Sequence, residues 1–153
     1  MSYFVVNGST LKCSMACSLP PGAPVPRAPS YPPGTPGGVI VLPSNKVMSG
    51  NQPVATINVE DTQVLPFVMS CMSQSNPTVV SASAAATSAA MGTPMFVPAP
   101  CTPSFAPGSK WISGCPKCRI SGKLVLNNTS KLNCMLGGTI EVIQTPSMKV
   151  KIP

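Results

Sequence analysis

Seven cysteines and no histidine set the chemistry open to this chain: Cys13, Cys17, Cys71, Cys101, Cys115, Cys118 and Cys134. Without histidine, neither a Ser-His nor a Cys-His catalytic pair can form, and the His-based zinc hydrolase sites are ruled out. Three uses of so much sulfur remain: packing, disulfide bonding or an all-thiolate metal site. The sharpest local motif is Cys115-Pro116-Lys117-Cys118. Two thiolates two residues apart on a proline-stiffened turn can grip one face of a tetrahedral zinc. A complete zinc ribbon needs a second such pair about 15–20 residues further on, and at that distance only Cys134 stands. Cys13-x3-Cys17 is a looser pair, and isolated Cys71 and Cys101 read by default as small buried hydrophobes.

No other constellation supports an enzyme. The acids are three, Glu60, Asp61 and Glu141, and the first two are adjacent rather than facing. No nucleotide-binding or metal-hydrolase motif is present. The methionines, Met15, Met48, Met69 and Met72 among them, read as soft core filler. Trp111 reads as packed rather than ligand-stacking. The net charge of +7 is spread loosely over Lys117, Arg119, Lys123 and Lys131, then Lys149 and Lys151. Aromatics at 5% do not give the interleaved basic-aromatic stripe of a nucleic-acid binder, so no nucleic acid is expected. The expectation is synthesis in the cytosol without a signal peptide, because residues 2–8 lack a basic n-region and their apolar run is short.

The elements that must position these sulfurs are short. Twenty prolines and twelve glycines in 153 residues discourage long helices, while 43% hydrophobic residues suffice for a core. The expected fold is mainly β and a single domain over 1–153, built of short β-hairpins with one short Ala-rich helix and many loops. Tyr3-Phe4-Val5-Val6 and Ser9–Cys13 flank Asn7-Gly8 and predict a hairpin. Residues 19–38, with eight prolines, predict an extended insertion loop that forms no ladder. Short strands resume over 39–66. A unit around Ser49-Gly50-Asn51 resembles one around Ser121-Gly122-Lys123, suggesting repeated hairpins. Asn76-Pro77 opens the helix, the Ala-rich run propagates it and Gly92 ends it. Proline-rich loop fills 94–110, and 137–143 predicts a glycine-entered strand of alternating exposure.

Several segments, taken in order, resemble the PAAR-like spike-tip proteins of bacterial contractile injection systems. They are Val6-Asn7-Gly8-Ser9-Thr10-Leu11-Lys12-Cys13, Leu42-Pro43-x-Asn45-Lys46-Val47, and Asn51-Gln52-Pro53-Val54-Ala55-Thr56-Ile57. Then follow Pro66-Phe67-x-Met69-x-Cys71-x-Ser73-x-x-Asn76-Pro77-x-Val79, Thr93-Pro94-Met95 and Pro100-Cys101-x-Pro103. The last and most specific is Leu126-Asn127-Asn128-Thr129-Ser130-Lys131-Leu132-x-Cys134-Met135-x-Gly137-Gly138. The resemblance implies a small conical or pyramidal domain capping the trimeric β-helical spike of a type VI secretion system, a phage-like tail or an extracellular injection particle. Such a tip is pushed outward through a target envelope and can carry effector cargo. The resemblance also singles out Cys13, Cys71, Cys101 and Cys134, each inside a matched segment, as ligands of a structural zinc held by sulfur alone. Cys115 and Cys118 are rival ligands, because the segment 115–122 looks longer than the family pattern. The competing reading is a zinc-ribbon-like nucleic-acid or protein-binding adaptor.

Overall fold

The computed structural model describes residues 2–26, 37–41, 47–49, 51–59, 62–64, 70–102, 104–146 and 151–152. Within them lie sixteen strands and one helix: β1 (Ser2–Tyr3), β2 (Thr10–Cys13), β3 (Ala16–Cys17), β4 (Val25–Pro26), β5 (Gly37–Val41), β6 (Met48–Ser49), β7 (Gln52–Pro53), β8 (Thr62–Val64), β9 (Ser70–Cys71), α1 (Pro77–Ala89), β10 (Met95–Phe96), β11 (Ala99–Pro100), β12 (Cys115–Ile120), β13 (Lys123–Val125), β14 (Lys131–Asn133), β15 (Thr139–Gln144) and β16 (Lys151–Ile152). Every paired strand is antiparallel, and the largest sheet runs β14-β15-β2-β5-β8. The fold is mainly β, of short hairpins with one helix, as the sequence predicts. Glu141 on β15 pairs in register with Lys12 on β2 and Lys131 on β14, and its carboxylate bonds both, at 3.2 and 2.8 Å.

At the centre, three segments close into a triangle. The Val5 N–H donates to the Leu126 carbonyl at 3.1 Å, the Leu126 N–H to Ala55 at 2.9 Å, and the Ala55 N–H to Val5 at 2.9 Å. Two residues on, the pattern recurs: Asn7 donates to Pro53, Ile57 to Leu124 and Asn128 to Tyr3, at 3.0–3.1 Å. The bridges Phe4↔Asn127, Val6↔Val54 and Thr56↔Val125 lie between them. Residues 3–7, 53–57 and 124–128 are therefore the sides of a pseudo-three-fold triangle, each antiparallel to half of each neighbour. Hairpin arms obey the same symmetry. Tyr3, Pro53 and Leu124 hold equivalent positions and pair with Lys151, Met48 and Arg119 respectively. The third arm, β16–β1, is assembled from the two ends of the chain.

Side chains alternate across this triangle, as strand geometry requires. Val5, Ala55 and Leu126 point to one face and enter the main core with Leu11, Leu132, Ile140, Trp111, Cys71 and Cys101. Val6, Val54 and Val125 point to the other face and form a smaller cluster with Phe4, Cys118 and Ile120.

Several expectations are corrected. Asn7-Gly8 does turn, with the Ser9 N–H on the Val6 carbonyl and Gly8 at φ +82°. The flanking segments nevertheless do not pair with each other. Asn7 keeps negative φ, so this is not a type I′ turn, and the arms splay to separate partners. The proline-rich stretch is not free of ladders, since β4 pairs with β10 and Gly37–Gly38 open β5. Residues 27–36 lie outside the described residues, as do Glu60, Asp61, Met69 and 42–46. Met48 is not core filler, being 64% exposed, whereas Met15 and Met72 pack on core clusters. The two similar hairpins are real but offset. In the first Ser49 is already paired, with Gln52, whereas in the second Ser121 and Gly122 form the turn with φ of 50° and 80°, so the two serines occupy different positions.

The helix starts where expected. The Asn76 side chain accepts from the Thr78 N–H, and Pro77 holds the first turn. At its end Met91 and Gly92 take left-handed φ, and the Gly92 N–H returns to the Thr87 carbonyl. Only Val79 is buried, against Phe96 and Ala99. Hydroxyls complete the attachment: Ser83 and Thr87 accept from the Val97 and Met95 N–H groups at 3.0 and 3.2 Å. Among the described residues no helix is long and apolar enough to cross a membrane.

Candidate metal centre

Four strand ends deliver four sulfurs to one place. Cys13 ends β2, Cys71 ends β9, Cys101 follows β11 and Cys134 follows β14. All four line a single small cavity with Met15, Thr102, Leu136, Gly138 and Ile140. Its volume is about 10 Å³, room for one water-sized particle and no organic ligand. The remaining cysteines stand elsewhere. Cys17 is buried in β3, facing Ser70 across the ladder. Cys115 and Cys118 sit in β12, with Cys118 packed on the opposite face of the triangle, so the rival set is not brought to this cavity.

The backbone fixes these sulfurs individually. Beside Cys134, its own N–H donates to the Gly138 carbonyl at 2.8 Å, closing the turn whose Gly137 takes φ +95°. The Cys134 sulfur accepts the Ser104 N–H at 3.4 Å. Gly138 is needed for space rather than for backbone freedom: a Cβ there would stand 2.6 Å from the Cys13 sulfur. Cys71 is held by its β9 ladder to Ala16 on one side and Ala99 on the other.

Electrostatics inside the cluster follow from hydrogen bonding between thiols. Hydrogen bonding from Cys101 lowers Cys13 to about 7 and Cys71 to about 6, against the desolvation that opposes it. Cys101 itself is pushed far up, as the donor that serves both neighbours. One thiol carries one proton, so Cys101 satisfies only one partner at a time. Cys13 and Cys71 are thus poised to shed protons near neutrality, the state that metal-ligating sulfur requires, while Cys101 holds its proton between them. Burial raises Cys17, which stays a thiol.

Chemically, this donor set suits a soft or borderline cation in tetrahedral sulfur coordination. Among the described residues no group of three or more His, Cys, Asp or Glu is already drawn into metal-ligand geometry. The four sulfurs share a cavity without converging on one centre. Zinc would gather them to about 2.3 Å from a single point.

Two of these cysteines are related by the internal symmetry. Asn7-x-Ser9-x-Leu11-x-Cys13 and Asn128-x-Ser130-x-Leu132-x-Cys134 stand at the same chain distance from Val5 and Leu126. Both serines receive the N–H of the residue three before them, at 3.2 and 3.1 Å, and both leucines are fully buried. This repeat is the signal that reading the chain for hairpins alone misses. The second side of the triangle, 53–57, carries no copy of it.

A family model described as a domain of unknown function, DUF4280, matches residues 30–146. The chain belongs to the DUF4280 family. No curated protein and no solved structure matches it. The DUF4280 match includes Cys71, Cys101 and Cys134, and two sides of the triangle, 53–57 and 124–128. Cys13, the first side and both strands of the β16–β1 arm lie beyond it.

Proposed function

We propose that this DUF4280 chain is a structural piercing tip that caps the trimeric β-helical spike of a contractile injection system. One observation carries the reading: a single chain folds into a pseudo-three-fold triangle whose three two-stranded arms pair in the same register at Tyr3, Pro53 and Leu124. A monomer can present the same contact three times to a trimeric partner only if it has such internal symmetry. The resemblance of segments across the chain to PAAR-like tips supports the same conclusion.

The face that meets the spike is the one carrying the arms. Val47 and Met48 are 45% and 64% exposed there, beside Lys117 and Arg119, around a groove of about 400 Å³. On the opposite face the four sulfurs of Cys13, Cys71, Cys101 and Cys134 hold one zinc. Strands of two to six residues are too short to be stable alone, and a metal bond tying four strand ends supplies rigidity that a small core lacks. The function is mechanical, and ejection by the particle carries the tip, with any effector cargo, into the target envelope.

The test is reconstitution of the full chain with its cognate trimeric spike, read by mass measurement and electron microscopy. One tip per three spike chains, seated by the arm face, is the expected result. A purified spike that binds no tip, or binds three, overturns the proposal. Metal analysis with thiol titration tests the zinc separately: one zinc per chain and four protected thiols are expected. Metal-free protein of unchanged thermal stability would remove the zinc from the proposal.

A further inference from the structure

The arm formed by β12 and β13 differs from its two counterparts. Cys115 pairs with Val125 and Arg119 with Leu124, so Pro116, Lys117 and Cys118 are extra residues opposite no partner. The β6–β7 and β16–β1 arms pair without such a shift. A bulge of this kind bends the strand and leaves its extra residues outside the ladder. Here the Cys115 sulfur takes the Cys118 thiol as its hydrogen-bond donor, which pushes that thiol up to about 11. Cys115 is fully buried, while Cys118 is partly exposed at the groove that Met48 and Arg119 also line.

From the bulge and the paired sulfurs we infer that Cys115 and Cys118 are a redox-convertible dithiol, a modification site for small disulfides of the glutathione class. The Cys118 thiolate attacks one sulfur of the small disulfide, forming a mixed disulfide and releasing one thiol. Cys115 then loses its proton and attacks the Cys118 sulfur, forming the Cys115–Cys118 bond and releasing the second thiol. Two thiols are oxidised and one disulfide is reduced, so the exchange balances. Exposure assigns the order: Cys118 can be reached from solvent and Cys115 cannot. The site does not involve the four-sulfur cavity; Cys118 lines the groove assigned above to the spike contact, so the exchange belongs to the chain free of the spike.

Sequence makes the test clean, because Lys117 separates the two cysteines for trypsin. The zinc-loaded full chain is exposed to glutathione disulfide at about pH 8.5, where more of a weakly acidic thiol is ionised, then digested without reduction. The expected product is peptide 111–117 joined to peptide 118–119, two hydrogens lighter than the pair and released by dithiothreitol. Cys118→Ser should abolish the cross-link and leave Cys115 free of glutathione. A stable glutathione adduct on Cys118 without the cross-link overturns the inference, as does Cys115 modified in C118S, or both peptides recovered as free thiols.

Discussion

Gly138→Ala separates a sulfur cavity that binds metal from one that merely packs. Gly138 does not take a positive φ, so alanine costs nothing in backbone strain. The new Cβ would stand 2.6 Å from the Cys13 sulfur and 3.6 Å from the Met15 Cβ. Comfortable contact begins near 3.5 Å, so the Cys13 sulfur must retreat by roughly 1 Å. As simple overpacking this costs about 1–3 kcal/mol. With each kcal/mol worth about 2–4 °C in a chain of this size, the metal-free variant should melt about 2–12 °C below the parent. A zinc site tolerates only about 0.2 Å of ligand displacement. Disturbing one of its supports typically weakens affinity about 10–100-fold, or about 1.4–2.7 kcal/mol. The zinc-loaded variant should therefore lose a further 3–11 °C or so beyond the metal-free loss. Scanning calorimetry with and without a chelator measures both, and elemental analysis reads the zinc retained. Equal losses with and without zinc in G138A would refute a metal role for Cys13.

Three further outcomes follow from named contacts. Asn76→Ala removes the side-chain acceptor for the Thr78 N–H and should cost about 0.5–2 kcal/mol, read by chemical denaturation; no change would mean the helix is held by Val79, Ser83 and Thr87 alone. Cys17 is raised above its ordinary value by burial. A raised thiol contributes stability that is complete below the unfolded value near 9 and is lost as pH climbs through the folded one. Cys17→Ala should flatten the decline in melting temperature above pH 9, and an unchanged alkaline limb would refute this. Removing residues 151–153 deletes β16 and with it one of the three arms; it should cost about 1–3 kcal/mol in lost backbone bonds and weaken spike binding at least tenfold, whereas full binding would argue against a three-armed contact.

What could be read from the sequence divides along the range of the interactions. The helix was legible because its signals are local: Asn76, Pro77 and Gly92 each act within one turn of themselves. The Ser121-Gly122 turn was legible for the same reason. The Asn7-Gly8 hairpin failed because its turn specifies only a reversal, while Val5 and Val6 find their partners at Ala55, Leu126 and Val54. The triangle itself is built from backbone groups, which leave no residue signature. It showed only in the spacing shared by Cys13 and Cys134. Met48 misled because its neighbours in sequence are those of a core strand, yet it sits on an arm beyond the triangle's edge. For the sulfur cavity, the resemblance chose its four cysteines, and the fold brings those four together.

A chain with internal three-fold symmetry can do something that a true trimer cannot. On one face the proposed tip would repeat a contact three times, through arms whose backbone registers agree at Tyr3, Pro53 and Leu124. On the other face the repeats are free to diverge, because each side of the triangle has its own sequence. Here they do diverge: Cys13 and Cys134 are equivalent, but the second side reaches Cys71 by a longer path and Cys101 arrives from β11, outside the repeat. Three equivalent sulfurs on an axis would leave a tetrahedral ion one ligand short. The repeat supplies two, Cys13 and Cys134, and the proposed tip would take the other two, Cys71 and Cys101, from outside it, where no partner has to be matched. A metal held in this way would tie the ends of β2, β9, β11 and β14 to one point, the rigidity that the proposed tip needs in order to narrow a three-fold spike.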